Sequence, residues 1–310
     1  MIEKRTFAGP SAFVGRMQTI RVAHLTDMHV GRVTPMKVQR AAVLATNQEK
    51  PDVVAITGDF VCHSQAYLDD LTEIVRLFDA PVVAVLGNHD HWSGGPEVRR
   101  ALERAGAAVL SNAFTTLTVR GQKLQLVGLD DAYTGHADRE RATRGLDLEI
   151  PSIGLSHIGE EADGLWARGV PFVLSGHTHA GQITVAKLHE RALGKIAGHK
   201  YMHGLYGSRT GTRELPAGGA VYVGAGIGSS FIPFRVGERS RREVAVFELG
   251  VAPGSFDEHH GEQPPLGGRK PTAKTMMKRY AKVLRNRESR ERRTSRSNPR
   301  GAEPFGEHGT

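Results

Sequence analysis

The chain has very little cysteine and no long apolar run. Cys62 is the only cysteine among 310 residues, so no intrachain disulfide can form, which is consistent with a reducing compartment. No segment reaches the ~18 consecutive apolar residues of a membrane span. The apolar stretch at 12–14 is far shorter than the ~7–15 residues of a secretory signal core. We therefore expect a cytoplasmic protein.

Net positive charge is absent from most of the chain and is concentrated at its end. Residues 1–268 hold 28 Lys+Arg and 29 Asp+Glu, whereas residues 269–310 hold 13 and 4. The first part is therefore near neutral and the second strongly basic. These shifts predict an N-terminal extension at 1–20, one catalytic domain at 21–250, a linker at 251–268 and a basic, largely disordered tail at 269–310.

What the sequence does contain is a series of polar motifs, each of which directly follows a short apolar run. Apolar runs of this kind predict buried strands, and ligands in α/β sheets bind just beyond the carboxyl ends of the strands. We therefore expect one sheet edge to collect the polar side chains of Asp27, His29, Asp59, Asn88, His89, Asp90, His157, His177 and His179. Oxygen and imidazole donors suit hard or borderline divalent cations.

The number of donors predicts two metal ions rather than one. Two ions ~3.5–4 Å apart need a shared anionic ligand, and a carboxylate can bridge them with its two oxygens. Asp59 stands alone in its Gly-Asp motif, as a bridging ligand would. Two ions together acidify a bound water to hydroxide and clamp the oxygens of a phosphoryl group. The chemistry therefore suggests hydrolysis of a phosphoester or pyrophosphate bond by a metal-activated hydroxide.

The order of these motifs resembles that of the calcineurin-like metallophosphoesterase superfamily. The matching segments are D-x-H at 27–29, G-D at 58–59, G-N-H-D at 87–90, a histidine at 157 and G-H-x-H at 176–179. Further motifs at 128–131, 176–182 and 224–230 are similar to the bacterial YkuE/YaeI-type branch. The resemblance covers about residues 21–249. It implies an α/β fold, a two-sheet mixed β-sandwich flanked by helices.

The resemblance also implies a role for each residue of the motifs. The first metal ion would be held by Asp27, His29 and His179, and the second by Asn88, His157 and His177, with Asp59 as the bridge. His89 would be the histidine that protonates the leaving-group oxygen, and Asp90 would orient it. The two divalent ions would be Mn, Fe or Zn. Cys62 is expected to be a small buried residue rather than a ligand.

Three functions remain open on the sequence alone. The first is a phosphoesterase with a small or lipid-linked substrate, such as the UDP-2,3-diacylglucosamine used by some members of the branch. The second is a nuclease or nucleotide phosphodiesterase, and the third is a non-catalytic scaffold, which the intact His89 and Asp90 disfavour. The basic tail is expected to bind an anionic partner, which is either the inner face of the membrane or nucleic acid. The branch resemblance favours the lipid-type substrate over nucleic acid.

The sequence also predicts helices between the strands, and it leaves two interpretations open for several other segments. Helices are predicted after Pro35, with an inner face of Val38, Ala41, Ala42 and Ala45, and at 68–78 and 96–105. The Gly-rich segment 224–230 is a tight turn, which we favour, or a phosphate cradle. Asp130 and Asp131 approach the site or form a turn. The segment 186–212 covers the site or is a surface loop.

Overall fold

The computed structural model describes residues 2–62, 64–181, 198–210, 219–229, 235, 237, 240–267 and 271–297. Twelve strands among these residues form two six-stranded sheets, which pack face to face. Helices cover the outer face of each sheet. This architecture confirms the predicted α/β fold with a mixed two-sheet sandwich.

The first sheet carries the N-terminal half of the site. Its strands lie in the order β1 (Glu3–Ala8), β12 (Glu243–Leu249), β2 (Ile20–Leu25), β3 (Val53–Thr57), β4 (Val82–Val85) and β5 (Ala108–Val109). Strands β2 to β5 are parallel, and β12 runs antiparallel to β2 and parallel to β1. The outer face is covered by α1 (Met36–Gln48), α2 (Leu68–Val75) and α3 (Asn88–Arg104).

The second sheet carries the other half of the site. Its strands lie in the order β10 (Gly204–Gly207), β11 (Ala220–Val223), β9 (Phe172–Ser175), β8 (Ser152–Leu155), β7 (Gln122–Gly128) and β6 (Ala113–Val119). The four central strands are parallel, and the two edge strands are antiparallel to their neighbours. Its outer face packs against α4 (Arg139–Thr143) and α5 (Ala162–Trp166).

The core follows from the alternation of side chains along each strand. Val22 points into the layer between the sheets, whereas Ala23 and Leu25 on the same strand point toward the helices. The layer between the sheets is filled by large apolar side chains from both, including Leu126, Ile153, Phe172 and Phe247. Because both sheets are covered on two faces, their central strands consist of almost uninterrupted apolar residues.

Both ends of the domain differ from the sequence prediction. Residues 3–8, which lie in the predicted N-terminal extension, form β1 and place Phe7 in the core between the sheets. Arg5 Nε on this strand lies 3.0 Å from Glu243 Oε2, inside a buried ionic network. The predicted linker 251–268 is also attached to the domain, because Glu258 Oε2 accepts a 2.7 Å hydrogen bond from the Arg209 guanidinium. These contacts extend the domain beyond 21–250 on both sides.

The basic tail also differs from its prediction as largely disordered. Residues Ala273–Ser297 form a 25-residue helix, α6, which packs on α3. Residue 268 of the predicted linker and residues 269–270 and 298–310 of the tail lie outside the described part. No helix in the described ranges is long and apolar enough to cross a membrane.

Candidate metal centre

The predicted site residues lie in the loops that follow five parallel strands. Asp27 and His29 follow β2, Asp59 follows β3, and Asn88 follows β4. From the second sheet, His157 follows β8, and His177 and His179 follow β9. All of these side chains are buried except that of His177, which is partly buried. The structure therefore brings the seven predicted metal ligands to one edge of the sandwich, where the two sheets meet.

Four of the side chains form a first donor group. Single ligand atoms of Asp27, His29, Asp59 and His179 all lie within 4.8 Å of one another. His29 Nε2 is 3.0 Å from His179 Nε2, and His179 Nε2 is 3.3 Å from Asp27 Oδ1. Asp27 Oδ1 is buried and has no hydrogen-bond partner in the described structure. A buried carboxylate oxygen without a partner is costly unless it binds a cation, so this group fits a metal ion.

A second donor group shares Asp59 with the first. Asp59, His157 and His177 also place their ligand atoms within 4.8 Å of one another. Asp59 Oδ2 lies 3.3 Å from His157 Nε2 and 3.6 Å from His29 Nε2, so one oxygen faces both groups. Asn88 Oδ1 is buried, and within the described ranges nothing hydrogen-bonds to it. A buried amide oxygen without a partner is costly, so Asn88 is a candidate for a further ligand.

The backbone around these residues is strained in a way that serves the site. Asp27, His29, Asp59, His177 and His179 all have positive φ, between 46° and 75°. This conformation is costly for residues other than glycine and is maintained only where the surrounding structure imposes it. Gly87 must lack a side chain, since a Cβ there would lie 2.3 Å from Asp59 Oδ1. The sharp turns direct the ligand atoms to one point.

Hydrogen bonds fix the rear of the ligand side chains. Asp27 Oδ2 accepts from the Thr26 hydroxyl and from the main-chain N–H of His177, each over 2.9 Å. His157 Nδ1 donates to the main-chain oxygen of Thr57 over 2.8 Å, which leaves Nε2 directed at Asp59. Orientation of this kind by outer partners is typical of metal ligands.

The protonation states of the site also favour cation binding. Burial raises the pKa of Asp27 to about 7, and the charge of Asp59 adds to the increase. Burial lowers the pKa of His29 to about 3 and holds the pKa values of His177 and His179 well below the ordinary one. These imidazoles are therefore neutral, which is the form that binds metal. A bound cation would favour the charged form of the Asp27 carboxyl, whose pKa is raised by burial.

The pKa of His157 changes in the opposite direction from those of His29, His177 and His179. Burial alone would lower the pKa of His157, but the neighbouring Asp59 carboxylate outweighs burial and raises it to about 10. The same carboxylate is itself held well below its ordinary pKa, because His157 and His89 outweigh its burial. A divalent cation at Asp59 would compete with the proton on His157 Nε2.

The sequence comparison agrees with this geometry. The calcineurin-like phosphoesterase family matches residues 20–181, just over half of the chain. The chain belongs to this family. The uncharacterized metallophosphoesterase YkuE of Bacillus subtilis (strain 168) is 29% identical over 235 residues, which cover 74% of this chain and 78% of YkuE. Phosphodiesterase YaeI of Escherichia coli (strain K12) is 27% identical over 237 residues, 74% of this chain and 82% of YaeI.

A solved structure with a similar fold is the NAD nucleotidase NadN of Haemophilus influenzae. It has a TM-score of 0.45 and 15% identity, and the match covers 88% of this chain and 60% of that one. Family membership and the relatives make the chain a metal-dependent phosphoester hydrolase. The family depends on two metal ions, and the two donor groups are candidate ligands for them.

Two residues of this phosphoesterase were predicted to act in catalysis, and the structure separates their roles. The main-chain N–H of His89 donates to Asp59 Oδ1 over 2.8 Å, which places His89 beside the shared carboxylate. The Asp90 carboxylate accepts hydrogen bonds from the main-chain N–H groups of Phe60, Val61 and Gly87. Asp90 therefore joins two site loops through their backbones. The sequence predicted that Asp90 orients His89, and this role stays a prediction.

The open alternatives are partly settled. In the Gly-rich segment 224–230 of the phosphoesterase, the described amides of Gly224, Ala225, Ile227, Gly228 and Ser229 all donate to protein acceptors. These five amides are therefore occupied by protein acceptors, which disfavours the phosphate cradle, and the interpretation as a turn stays a prediction. Ser230 lies outside the described residues. Asp131 forms a turn through hydrogen bonds to Tyr133 and Thr134, whereas Asp130 Oδ1 lies 2.7 Å from His91 Nε2.

Two further predictions concern the segment 186–212 and Cys62. Residues 186–197 and 211–212 lie outside the described part, but the His199 ring lies 5.3 Å from that of His177. Cys62 has a ligand atom within 4.8 Å of His29 and His89. Burial raises the pKa of Cys62 to about 11, with a further increase from Asp59, so it remains a neutral thiol.

Two aromatic residues at the rim of the phosphoesterase centre were missed at the sequence level. The Trp92 ring lies 4.8 Å from the His89 ring, and the Tyr133 ring lies 5.1 Å from the His177 ring. Trp92 follows the G-N-H-D motif and is one of two tryptophans in the chain, which was an available signal. Nothing in the sequence indicated Tyr133, because its position depends on the turn made by Asp131.

Proposed function

We propose that this phosphoesterase holds two divalent ions on either side of Asp59 and hydrolyses a phosphodiester or pyrophosphate bond. The observation that carries the proposal is the Asp59 carboxylate, whose Oδ2 faces both His29 and His157. The first ion would be held by Asp27, His29 and His179, and the second by Asn88, His157 and His177. Carboxylate, amide and imidazole donors suit Mn, Fe or Zn.

The chain's own residues supply the remaining chemistry. When bound, the two ions would supply positive charge for the activation of a water molecule and for the neutralisation of the phosphoryl oxygens. His89 gives a proton to the leaving-group oxygen. Its position is fixed by the 2.8 Å hydrogen bond from its main-chain N–H to Asp59, and the Trp92 ring packs against its imidazole. Asp90 stabilises the same arrangement from behind by joining the loops after β3 and β4.

The substrate is proposed to be a lipid-linked phosphoester, such as UDP-2,3-diacylglucosamine. Support comes from α6, which carries basic residues beside the centre and exposes the apolar side chains of Met277, Tyr280 and Leu284. A basic helix with apolar side chains favours the surface of an anionic membrane. We accordingly propose a cytoplasmic protein that is peripheral on the inner face of the membrane. A nuclease or nucleotide phosphodiesterase is the alternative.

The proposal predicts the loss of both metal ions from one substitution. Asp59→Asn removes the shared anionic ligand, so the metal content should fall from two ions per chain to less than one, with at least a ~10³-fold loss of kcat. Metal content is measured by elemental analysis of protein purified with Mn²⁺, Fe²⁺ or Zn²⁺. Activity is measured on aryl monoesters and diesters, cyclic nucleotides, RNA, DNA and a UDP-acyl-sugar.

The matched control is Asp69→Asn, since the Asp69 side chain is fully exposed on α2. It should retain both ions and full activity. An active wild-type preparation with no more than one ion per chain would refute the two-metal proposal. Hydrolysis of RNA or DNA with no hydrolysis of the UDP-acyl-sugar would favour the nuclease alternative.

A further inference from the structure

A basic helix lies against the aromatic residues at the rim of the metal centre. On α6, Lys282 Nζ is 3.4 Å from the centre of the Trp92 ring, and the guanidinium carbon of Arg279 is 3.6 Å from that of Tyr133. Arg290 Nη1 donates a 2.6 Å hydrogen bond to the main-chain oxygen of Trp92. Cation–π contacts and hydrogen bonds therefore attach the helix at this rim.

The same two aromatic rings contact the centre on their other side. Trp92 packs against His89, Tyr133 packs against His177, and the two aromatic rings are 5.9 Å apart. One ring thus separates each cation of α6 from a histidine of the centre. An anionic group that the substrate carries past either ring would meet a cation of α6.

The side of α6 that faces the domain carries both cations and apolar side chains. Arg279 and Lys282 are partly buried, as are Met276, Ala281 and Val283, while Met277 and Leu284 are 74% and 42% exposed. Basic side chains thus occupy part of a face that a packing helix would fill with apolar side chains. Within the described ranges neither Arg279 nor Lys282 forms an ion pair with a carboxylate. The helix therefore holds two unneutralised cations beside a phosphoester site.

We propose that Arg279 and Lys282 bind a second anionic group of the substrate, beyond the phosphoryl group at the metal centre. They would thereby select diesters and diphosphates that carry such a group over esters with a neutral substituent. A guanidinium that stacks on an aromatic ring keeps the N–H groups at its edge free to bind oxygen anions. This inference rests on the proposed function, because it needs a phosphoryl group at the centre.

The test uses two esters with the same leaving group. Ethyl 4-nitrophenyl phosphate has a neutral substituent, and 2-phosphonoethyl 4-nitrophenyl phosphate has an anionic one. The wild-type chain should have the higher kcat/KM for the phosphono ester. In the double variant Arg279→Gln/Lys282→Gln, the ratio of the two kcat/KM values should fall at least ~10-fold, since each ~1.4 kcal/mol of lost binding is one factor of ten.

The control is Lys278→Gln/Arg285→Gln, which removes the same charge from exposed positions of the same helix. It should keep the wild-type ratio, and circular dichroism should report equal helix content in all three proteins. An unchanged ratio in the first variant, or an equal fall in the control, overturns the inference while the proposed function stands. If the wild type hydrolyses neither ester with any metal, both fail.

Discussion

At the scale of single residues, the centre depends on a few side chains held in unfavourable conformations. Five of the seven candidate ligands have positive φ, and Asp59 serves both donor groups. The sequence predicted these residues because each motif follows an apolar strand, so that the topology alone brings them together. It did not predict the partners of Asp90, because hydrogen bonds to the backbone of Phe60 and Val61 depend on loop conformation rather than on residue type.

His89 should affect the rate according to the leaving group. A positioned general acid contributes ~10²–10⁴ in rate, so His89→Ala should lower kcat by that factor for an alkyl ester, whose leaving group is poor. For a 4-nitrophenyl ester, which leaves without a proton, the loss should be less than ~10-fold. Steady-state kinetics on both esters measure this difference.

The control for this substitution is His259→Ala, because His259 is exposed. It should have wild-type kinetics on both esters. Elemental analysis of His89→Ala should still find two ions. Loss of an ion, or an equal loss of rate on the two esters, would contradict the role of His89 as the acid.

At the scale of elements, polar side chains decide how helices and strands sit on the sandwich. The sequence predicted Ala41 on the inner face of α1, whereas the structure exposes Ala41 and buries Gln39, which donates a 2.6 Å hydrogen bond to the main-chain oxygen of Met28. A glutamine in an amphipathic helix is expected on the solvent-exposed face unless its hydrogen-bond partner inside the protein is known. Similarly, β1 was missed because its pairing with β12 joins opposite ends of the chain.

The pair between α3 and the loop after β7 should make stability depend on pH. Burial would lower the pKa of His91, but its hydrogen bond to Asp130 outweighs burial and raises it. That stabilisation is complete below the unfolded pKa of His, ~6.5, and is lost as pH rises through the folded value. Burial would raise the pKa of Asp130, but its hydrogen bond to His91 outweighs burial and lowers the pKa to about 2. The stability that Asp130 contributes is therefore lost only in acid, as the pH falls from ~4 to about 2.

Asp130→Asn should therefore destabilise the metal-loaded protein more at pH 6 than at pH 9. Removing one partner of a buried ion pair costs ~3 kcal/mol, and the cost should shrink at pH 9 as His91 loses its proton. Urea unfolding at the two pH values measures the difference. Asp79→Asn, at an exposed position, should have no such effect. An equal cost at both pH values would show that the pair is not charged.

At the scale of the whole molecule, the near-neutral domain and the basic helix form one unit. The sequence located the basic charge correctly but assigned it to a largely disordered tail, because so many like charges rarely form a helix alone. Cation–π contacts to Trp92 and Tyr133, which no local pattern reveals, attach α6 to the domain. Among the apolar side chains of α6, Met277, Tyr280 and Leu284 are exposed, whereas Met276, Ala281 and Val283 are partly buried.

This exposed stripe should bind an anionic membrane. Met277→Ser/Leu284→Ser should weaken binding to vesicles that contain phosphatidylglycerol by at least ~10-fold, since burial of one large apolar side chain contributes ~1.5–3 kcal/mol. Sedimentation with vesicles measures binding. The control is Leu44→Ser/Leu148→Ser, which changes two leucines that are 60% and 54% exposed elsewhere on the domain and should leave binding unchanged. Equal binding by both variants would exclude the stripe as the membrane contact.

If the wild type does not bind these vesicles but retards RNA at physiological salt, the cations of α6 bind nucleic acid instead, because phosphate contacts then supply the affinity.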